Sequence, residues 1–189
     1  FDYCVDRISD AEISGLSLSS LQAVFNGAES IREQTLKRFS ARFKCVGFSV
    51  GVFSPVYGLA EATLMVSGVP AATAYHVRSF DNALLEKGVA QPSQDAASQR
   101  NLVSCGTALP NVNISIWVPG FDQQLGEGLI GEICVEGPSI SPGYLNAQRD
   151  LADYNSLTVD DSALRTGDLG FLHEGELFVS GRLKNLIIS

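Results

Sequence analysis

The chain has 189 residues, 45% hydrophobic and 18% charged, a balance typical of a globular protein with one substantial core or two smaller ones. Its formal net charge of −8, with scattered lysines and arginines, argues against nucleic-acid binding, and no apolar run is long enough to span a membrane. The 4 cysteines lack C-x-x-C spacing, which predicts reduced thiols and a cytoplasmic protein.

Residues 1–75 predict alternating helices and strands. Two helices begin at capping boxes, in which a serine precedes a glutamate by three positions: Ser9 with Glu12, and Ser30 with Glu33. Apolar periodicity and glycine or proline breaks then predict, in chain order, a helix over 11–14, a strand over 21–25, an amphipathic helix over 30–43, a strand over 50–56, a helix over 60–66 and a strand over 71–77.

The later part of the chain first becomes polar and then β-like. Residues 77–100 are rich in Asn, Gln, Ser and Asp, with a short helix predicted over 83–87, and they predict an inserted segment. From residue 101, apolar segments between Gly and Pro breaks predict strands over 112–118, 129–135 and 176–179. We therefore expect an α/β fold: half of an open α/β sheet over 1–100, followed by a small β-rich, distorted barrel over 101–180.

The junction after the predicted strand at 50–56 combines an aromatic ring, a glycine turn and a carboxylate. Tyr57 ends the strand, Gly58 lets the chain turn, and Glu61 falls in the first turn of the next predicted helix. Open α/β sheets bind ligands at the carboxyl ends of their strands, so we expect Tyr57 to be exposed in a nucleotide site. From this segment alone, a buried tyrosine followed by a solvated glutamate at a helix start explains the pattern equally well.

Two further motifs lie in the β-rich part. Asp168 follows a glycine in Arg165-Thr166-Gly167-Asp168, and its carboxylate is suited to accept two hydrogen bonds from a ribose diol. An ordinary β-turn is the alternative interpretation of those residues. The segment Gly181-Arg182-Leu183-Lys184 carries two cations on either side of an apolar position, and by itself it is also consistent with a charged strand end.

Taken together, the motifs resemble the adenylate-forming superfamily in order and spacing along essentially the whole chain. Within it, the chain is most similar to the fatty acyl-AMP ligases, because of Ser104-Cys105-Gly106, the long polar segment before it, and Ala60 where other members carry threonine. The segments that carry the resemblance are Phe25-Asn26-Gly27-Ala28-Glu29, Tyr57-Gly58-Leu59-Ala60-Glu61-Ala62-Thr63-Leu64, Gly131-Glu132 with Gly137 and Gly143-Tyr144, Arg165-Thr166-Gly167-Asp168, and Gly181-Arg182-Leu183-Lys184.

The resemblance implies a ligase that activates a fatty acid with ATP, in the presence of Mg²⁺, to acyl-adenylate and pyrophosphate. The acyl group would pass to an acyl carrier protein or to a polyketide or peptide synthase. The implied roles are adenine contacts for the backbone of Gly27, Ala28 and Glu29, stacking on adenine for Tyr57, ATP or AMP binding for Gly58, Mg²⁺ binding for Glu61, ribose binding for Asp168, and ribose and phosphate contacts for Arg182. Residues 181–189 would start the hinge to a carboxyl-terminal lid, with Lys184 at the hinge position.

Two parts of such a ligase are missing from the sequence, namely a Gly-rich phosphate loop with its lysine and the catalytic lysine of the lid. The chain alone is therefore predicted to be inactive, with no catalytic residue of its own. Asn185 stands where the superfamily usually has aspartate. Two alternatives stay open: an acyl-CoA synthetase, which has a shorter connection where residues 77–100 stand, and a non-catalytic interaction module with the same fold.

Overall fold

The computed structural model describes residues 1–141, 158–159 and 163–185. Its α-helices are α1 (Asp2–Arg7), α2 (Asp10–Ser14), α3 (Glu33–Phe43) and α4 (Asn82–Leu85). Its strands are β1 (Val24–Asn26), β2 (Phe53–Gly58), β3 (Met65–Gly68), β4 (Val77–Asp81), β5 (Gln99–Val103), β6 (Thr107–Ala108), β7 (Asn113–Trp117), β8 (Gln124–Leu125), β9 (Gly131–Glu136), β10 (Thr158–Val159), β11 (Ala163–His173) and β12 (Glu176–Arg182).

The amino-terminal part is built around a four-stranded sheet in the order β1-β2-β3-β6. β1 runs parallel to β2, whereas β3 and β6 are antiparallel to their neighbours. The apolar side of α3 packs on this sheet through an aromatic cluster, in which the rings of Phe39 and Phe48 lie 5.9 and 5.1 Å from that of Phe53 in β2. This cluster fixes the orientation of β2, whose carboxyl end carries Tyr57 and Gly58.

One of the two predicted capping boxes is confirmed and the other is wrong. Ser9 and Glu12 form both reciprocal hydrogen bonds at the start of α2. The helix predicted over 30–43 begins instead at Glu33, with Arg32 as its N-cap and no side-chain cap. The Glu33 carboxylate is occupied elsewhere, because Lys37 lies 2.6 Å from Oε1 and the Asn101 amide donates to Oε2 at 2.9 Å.

The helix predicted over 60–66 is wrong. The chain makes only a 3-10 turn over Ala60–Ala62, reverses at Thr63, which has φ +68°, and returns as β3 beside β2. The backbone groups that a helix would pair internally have other partners: Met65 pairs with Gly58 of β2, and the carbonyl oxygens of Glu61 and Val66 accept from the N–H groups of Ser141 and Leu109. The strands also begin later than predicted: Val50–Val52 is a 3-10 turn before β2, and the strand expected over 71–77 lies at Val77–Asp81.

The carboxyl-terminal part is a six-stranded sheet in the order β10-β11-β9-β7-β8, with β12 also paired to β11. The strands predicted over 112–118, 129–135 and 176–179 are confirmed as β7, β9 and β12, with shifted ends. Within the described ranges no pairing joins β8 to β12 or β10, so this sheet is open there rather than a closed barrel. The fold class is therefore mixed α/β, with an open mixed sheet followed by an open antiparallel sheet.

The polar segment at 77–100 contains ordered structure. β4 and β5 form an antiparallel pair, and α4 follows β4 directly. Phe80 of β4 is fully buried, with its ring 5.1 Å from that of Phe171 and 5.5 Å from that of Phe178. This aromatic contact attaches the β4–β5 pair to the carboxyl-terminal sheet, and β5 runs across the boundary predicted at residue 100. Across the described parts of the chain, none of the helices has the length and apolarity needed to cross a membrane.

Candidate functional site

A central cavity of about 340 Å³ lies where the carboxyl end of β2 faces β11 and β12. Small-molecule sites commonly measure about 300–1,000 Å³. Six of the residues predicted to bind a nucleotide line this cavity: Ala28, Glu29, Tyr57, Gly58, Asp168 and Arg182. The fold therefore brings together residues that are up to 154 positions apart in the sequence.

Tyr57 is buried, not exposed as predicted. Its hydroxyl donates a hydrogen bond to Asp168 Oδ2 at 2.9 Å, and its side chain still forms part of the cavity wall. Burial raises the pKa of Tyr57 well above its ordinary value, so the hydroxyl keeps its proton and remains a donor. The prediction failed because it considered β2 alone, whereas Asp168 comes from the other sheet and covers the phenol.

The loop after β1 also lines the central cavity. Asn26, the last residue of β1, pairs with Pro55, so the residues that follow lie beside the end of β2. Ala28 has φ +67°, which turns the chain so that Glu29 lines the cavity. Gly27 lines an adjoining cavity that shares Glu29. Strand pairing thus explains how Ala28 and Glu29 reach Tyr57.

Gly58 occupies a position with no room for a side chain. A Cβ atom built there would lie 1.7 Å from the carbonyl oxygen of Leu64, because the chain returns tightly from β2 into β3. The β2–β3 register shifts between Tyr57 and Gly58 at the same point. The close approach therefore requires glycine and sets the position of the turn that carries Glu61.

Asp168 lies within a bulge of β11 and not in the ordinary β-turn that was the alternative interpretation of its motif. Its carboxylate accepts two hydrogen bonds: Oδ2 from Tyr57, and Oδ1 from Arg182 Nε at 2.8 Å. Its backbone N–H donates to Thr166 Oγ1 at 3.1 Å. An ionised carboxylate has about four acceptor positions, so Asp168 can accept further hydrogen bonds from a ligand.

A buried ion pair beneath this bulge was not predicted. Glu132 Oε2 accepts from Arg165 Nη1 at 2.8 Å, and Glu132 Oε1 accepts from the backbone N–H of Gly167 at 3.1 Å. The sequence contains a signal for it, since the charged residue Glu132 directly precedes the apolar run Ile133-Cys134-Val135 of β9. The partner could not be identified from the sequence, because the pairing depends on the register of β9 with β11.

A side cavity of about 270 Å³ adjoins the central cavity, and the two share Asp168 and Arg182. Glu61 and Lys184 also line the side cavity. Lys184 belongs to a 3-10 turn, Leu183–Asn185, directly after β12. The charged residues that line this space are two carboxylates, Glu61 and Asp168, and three cations, Arg165, Arg182 and Lys184. They provide charges of both signs for an anionic ligand and its counter-ion.

In the residues that the structure describes, no group of three or more His, Cys, Asp and Glu side chains forms a metal site. This does not conflict with the role predicted for Glu61, because Mg²⁺ is commonly held by one or two carboxylates together with substrate phosphates and water. The motif residues Gly143 and Tyr144 lie outside the described residues.

Comparison with known proteins identifies the family. Residues 2–145 match the profile of the family described as AMP-binding enzyme. The chain belongs to the AMP-binding enzyme family. Within it, the chain is 36% identical to the medium-chain-fatty-acid–[acyl-carrier-protein] ligase TtuA of Teredinibacter turnerae, over 98% of this chain and 30% of that protein. It is 35% identical to the ligase of the same description, JamA, of Moorena producens, over 100% of this chain and 33% of that protein.

A solved structure supports the same relationship. The fatty acyl-adenylate ligase of Legionella pneumophila, in complex with acyl adenylate and pyrophosphate, superposes with a TM-score of 0.89 and 38% identity, covering 99% of this chain and 33% of that one. The chain thus spans about a third of the length of these relatives. The predicted fold and the predicted membership of the adenylate-forming enzymes are confirmed.

Proposed function

We propose that this chain is the part of a fatty acyl-AMP ligase that holds the adenosine and α-phosphate of ATP. One observation carries the proposal: Tyr57 from the first sheet and the Asp168–Arg182 pair from the second line the same cavity and are joined by hydrogen bonds. An aromatic wall suits a purine base, and a carboxylate beside it suits the ribose diol.

The adenine would lie between the Ala28–Glu29 backbone and the Tyr57 ring, where stacking on an aromatic ring contributes about 1–3 kcal/mol. Asp168 would accept hydrogen bonds from the ribose hydroxyls. Its orientation is already set by Tyr57 and Arg182, so the diol meets an acceptor that does not have to reorganise. The base and the sugar are thereby placed before any chemistry takes place.

The reaction joins two anions. A carboxylate oxygen of the fatty acid forms a bond to the α-phosphorus, and the bond from that phosphorus to the oxygen bridging to the β-phosphate breaks, so that pyrophosphate leaves. Arg182 and Lys184 border the side cavity where this charge would lie. The Arg182 side chain is 69% exposed while it pairs with Asp168, so it can reach toward a phosphate at little desolvation cost.

Glu61 would hold Mg²⁺ at the phosphates, because it lines the side cavity together with Arg182 and Lys184 and because carboxylate oxygens suit this ion. When bound, Mg²⁺ supplies charge neutralisation at the phosphate oxygens. We place the hinge toward a carboxyl-terminal lid at Lys184, since the regular pairing of β12 ends at Arg182, immediately before this turn.

We propose an acyl carrier protein, or a carrier domain of a polyketide or peptide synthase, as the acceptor of the acyl group. The names of the two curated relatives support this choice, as does the β4–β5 pair, which occupies the position where acyl-CoA synthetases have a shorter connection. The cysteines are all free thiols, which supports a cytoplasmic location.

The full-length protein tests the proposal when it is incubated with fatty acid, ATP and Mg²⁺, followed by carrier protein or coenzyme A. We expect acyl-adenylate and pyrophosphate to form, and the acyl group to pass to the carrier protein. Efficient formation of the coenzyme A thioester would instead identify an acyl-CoA synthetase. Failure of the full-length protein to bind ATP or an acyl-adenylate analogue would identify a non-catalytic module. The 189-residue chain alone should release no pyrophosphate, because the phosphate loop and the lid lysine are absent from it.

A further inference from the structure

The bulge that carries Asp168 has open space at its central residue. In the pairing of β11 with β9, Arg165 lies opposite Cys134 and Leu169 lies opposite Glu132, so four steps along β11 match two along β9. At its centre, Gly167 has φ +71°, and a Cβ atom built there would meet nothing within 4 Å. Polar contacts therefore have to hold the two extra residues in place.

The Glu132 side chain supplies the polar contact at the centre of the bulge. Its Oε1 accepts from the Gly167 N–H, while its Oε2 accepts from Arg165. Glu132 is 6% exposed and Arg165 is 8% exposed, so little water competes for these bonds. A charge-assisted bond to a backbone N–H is stronger than a neutral one, and the position of Gly167 determines where the next residue, Asp168, lies.

Arg165 holds the Glu132 carboxylate in turn. Besides that bond, Arg165 Nη2 donates to the carbonyl oxygen of Phe121 at 2.7 Å, which ties the pair to the loop after β7. Thr166 adds a second support, since its Oγ1 donates to the carbonyl of Ile133 at 2.8 Å and accepts the Asp168 N–H. The chain of contacts thus runs from β9, through Glu132 and Thr166, to the backbone of Asp168.

We propose that Glu132, oriented by Arg165, is a positioning residue that sets the Asp168 carboxylate for the ribose diol. The inference rests on the proposed function and adds to it a residue outside the cavity wall. A buried ion pair is weak evidence for stability, because apolar residues of similar volume often replace it without loss. Here the pair specifies the conformation of a bulge, so its removal should change how the diol is recognised more than it changes whether the protein folds.

The test compares ATP with 2′,3′-dideoxy-ATP in the full-length protein by calorimetry. The unmodified protein should prefer ATP by roughly 10- to 100-fold, as expected when hydrogen bonds to a charged group are lost. Glu132→Gln should reduce this preference to about threefold or less, while the affinity for dideoxy-ATP stays within about twofold. In an Asp168→Ala background, Glu132→Gln should have no further effect on the preference.

Glu127→Gln is a matched control, because Glu127 also accepts from a backbone N–H of a glycine with positive φ, Gly175, in a turn away from both cavities. This control should keep the full preference for ATP. If Glu132→Gln does not fold cooperatively, the double variant Glu132→Leu/Arg165→Met removes the pair without leaving an unpaired charge, and it should lose the preference in the same way.

Retention of the diol preference in a folded Glu132 variant overturns the inference and leaves the proposed function intact. Equal losses of affinity for ATP and dideoxy-ATP overturn it as well, since they indicate general destabilisation of the site. A protein that binds neither nucleotide contradicts the proposed function itself. A diol preference lost in Glu132→Gln and kept in Glu127→Gln supports the inference.

Discussion

The two walls of the central cavity are held in place by different physical means. On the β2 side, the decisive constraint is steric: Gly58 lies against the Leu64 carbonyl with no space for a Cβ atom. On the β11 side, Gly167 has open space around it, and the conformation is maintained by hydrogen bonds that the backbone N–H groups of Gly167 and Asp168 donate to Glu132 and Thr166. We therefore expect the β2 wall to tolerate no added atoms and the β11 wall to tolerate no lost polar partners.

The difference between the walls matches the groups they are proposed to contact. An adenine ring requires a flat apolar surface at a fixed separation, which close packing of β2 and β3 provides. A ribose diol and a phosphate require charged groups in a fixed orientation, which buried hydrogen bonds provide. The two walls should therefore respond differently to the same substitution.

Gly58→Ala should have the largest effect, on folding. Its Cβ atom would meet the Leu64 carbonyl at 1.7 Å, so β2 and β3 would have to separate. We expect the free energy of unfolding to fall by about 3–5 kcal/mol, measured by urea denaturation. Gly126→Ala is the control, because Gly126 has open space and no positive φ, and it should change the free energy by less than about 0.5 kcal/mol. Equal effects at the two positions would show that β2 and β3 are not tightly packed.

Asp168→Ala should have the next largest effect, on nucleotide affinity. The variant removes the proposed diol acceptor and the partner of both Tyr57 and Arg182. We expect the dissociation constant for a stable acyl-adenylate analogue to rise roughly 100-fold, since hydrogen bonds to charged groups contribute about 1.5–3 kcal/mol each. Asp95→Ala, in the loop between β4 and β5, serves as the control. Unchanged binding would place the ribose elsewhere.

Substitutions of Tyr57 separate the ring from the hydroxyl. Tyr57→Leu removes the ring together with its hydroxyl and should weaken binding of the analogue by about 1–3 kcal/mol more than Tyr57→Phe does, because a base stacked on an aromatic ring gains that much. Tyr57→Phe removes only the donor to Asp168 and should weaken binding by about 1 kcal/mol. If the two variants lose the same affinity, the contribution of Tyr57 comes from its hydroxyl and not from stacking.

Gly167→Ala should have a smaller effect than Gly58→Ala, although Gly167 lies beside Asp168. The added methyl group meets nothing within 4 Å, so the cost is limited to the strain of placing alanine at φ +71°. We expect the free energy of unfolding to fall by about 1–2 kcal/mol. A loss as large as that of Gly58→Ala would mean that the β11 wall is packed as closely as the β2 wall, which would contradict the comparison.

The last prediction concerns alkaline pH, where the effect accumulates over several pH units instead of following from one substitution. Burial raises the pKa of the Cys105 and Cys134 thiols from about 9 to about 12, so above pH 9 the unfolded chain releases protons that the folded chain keeps. The free energy of unfolding should therefore fall between pH 9 and 12, by at most about 1.4 kcal/mol per pH unit and thiol.

Urea denaturation at several pH values in this range measures how steeply the free energy of unfolding falls with pH. The series compares the unmodified protein with Cys105→Ala and with Cys134→Ala, and each variant should make the slope less steep. Cys105 borders the central cavity and Cys134 lies in β9, so the single variants show which region loses more stability. A slope unchanged by both substitutions would show that neither thiol is protected by burial.

Sequence patterns predicted many of the helices and strands correctly, and the predictions that are wrong have a common cause. The capping box at Ser9 and the strands β7, β9 and β12 were predicted because local periodicity and capping chemistry determine them. The helix expected over 60–66 is wrong because the chain turns back at Thr63 and β3 pairs with β2, and this strand pairing outweighs local helix propensity.

The composition of the candidate site was also encoded in the order of its motifs. Tyr57, Asp168 and Arg182 were recognised as residue types suited to a nucleotide before their positions were known, because each side chain brings its own chemistry. Their mutual arrangement depends on contacts across the chain: the hydrogen bond from Tyr57 to Asp168 spans 111 positions, and the Glu132–Arg165 pair exists only through the β9–β11 register. Local sequence specifies which groups are available, whereas strand pairing and burial decide which of them meet and how they are held.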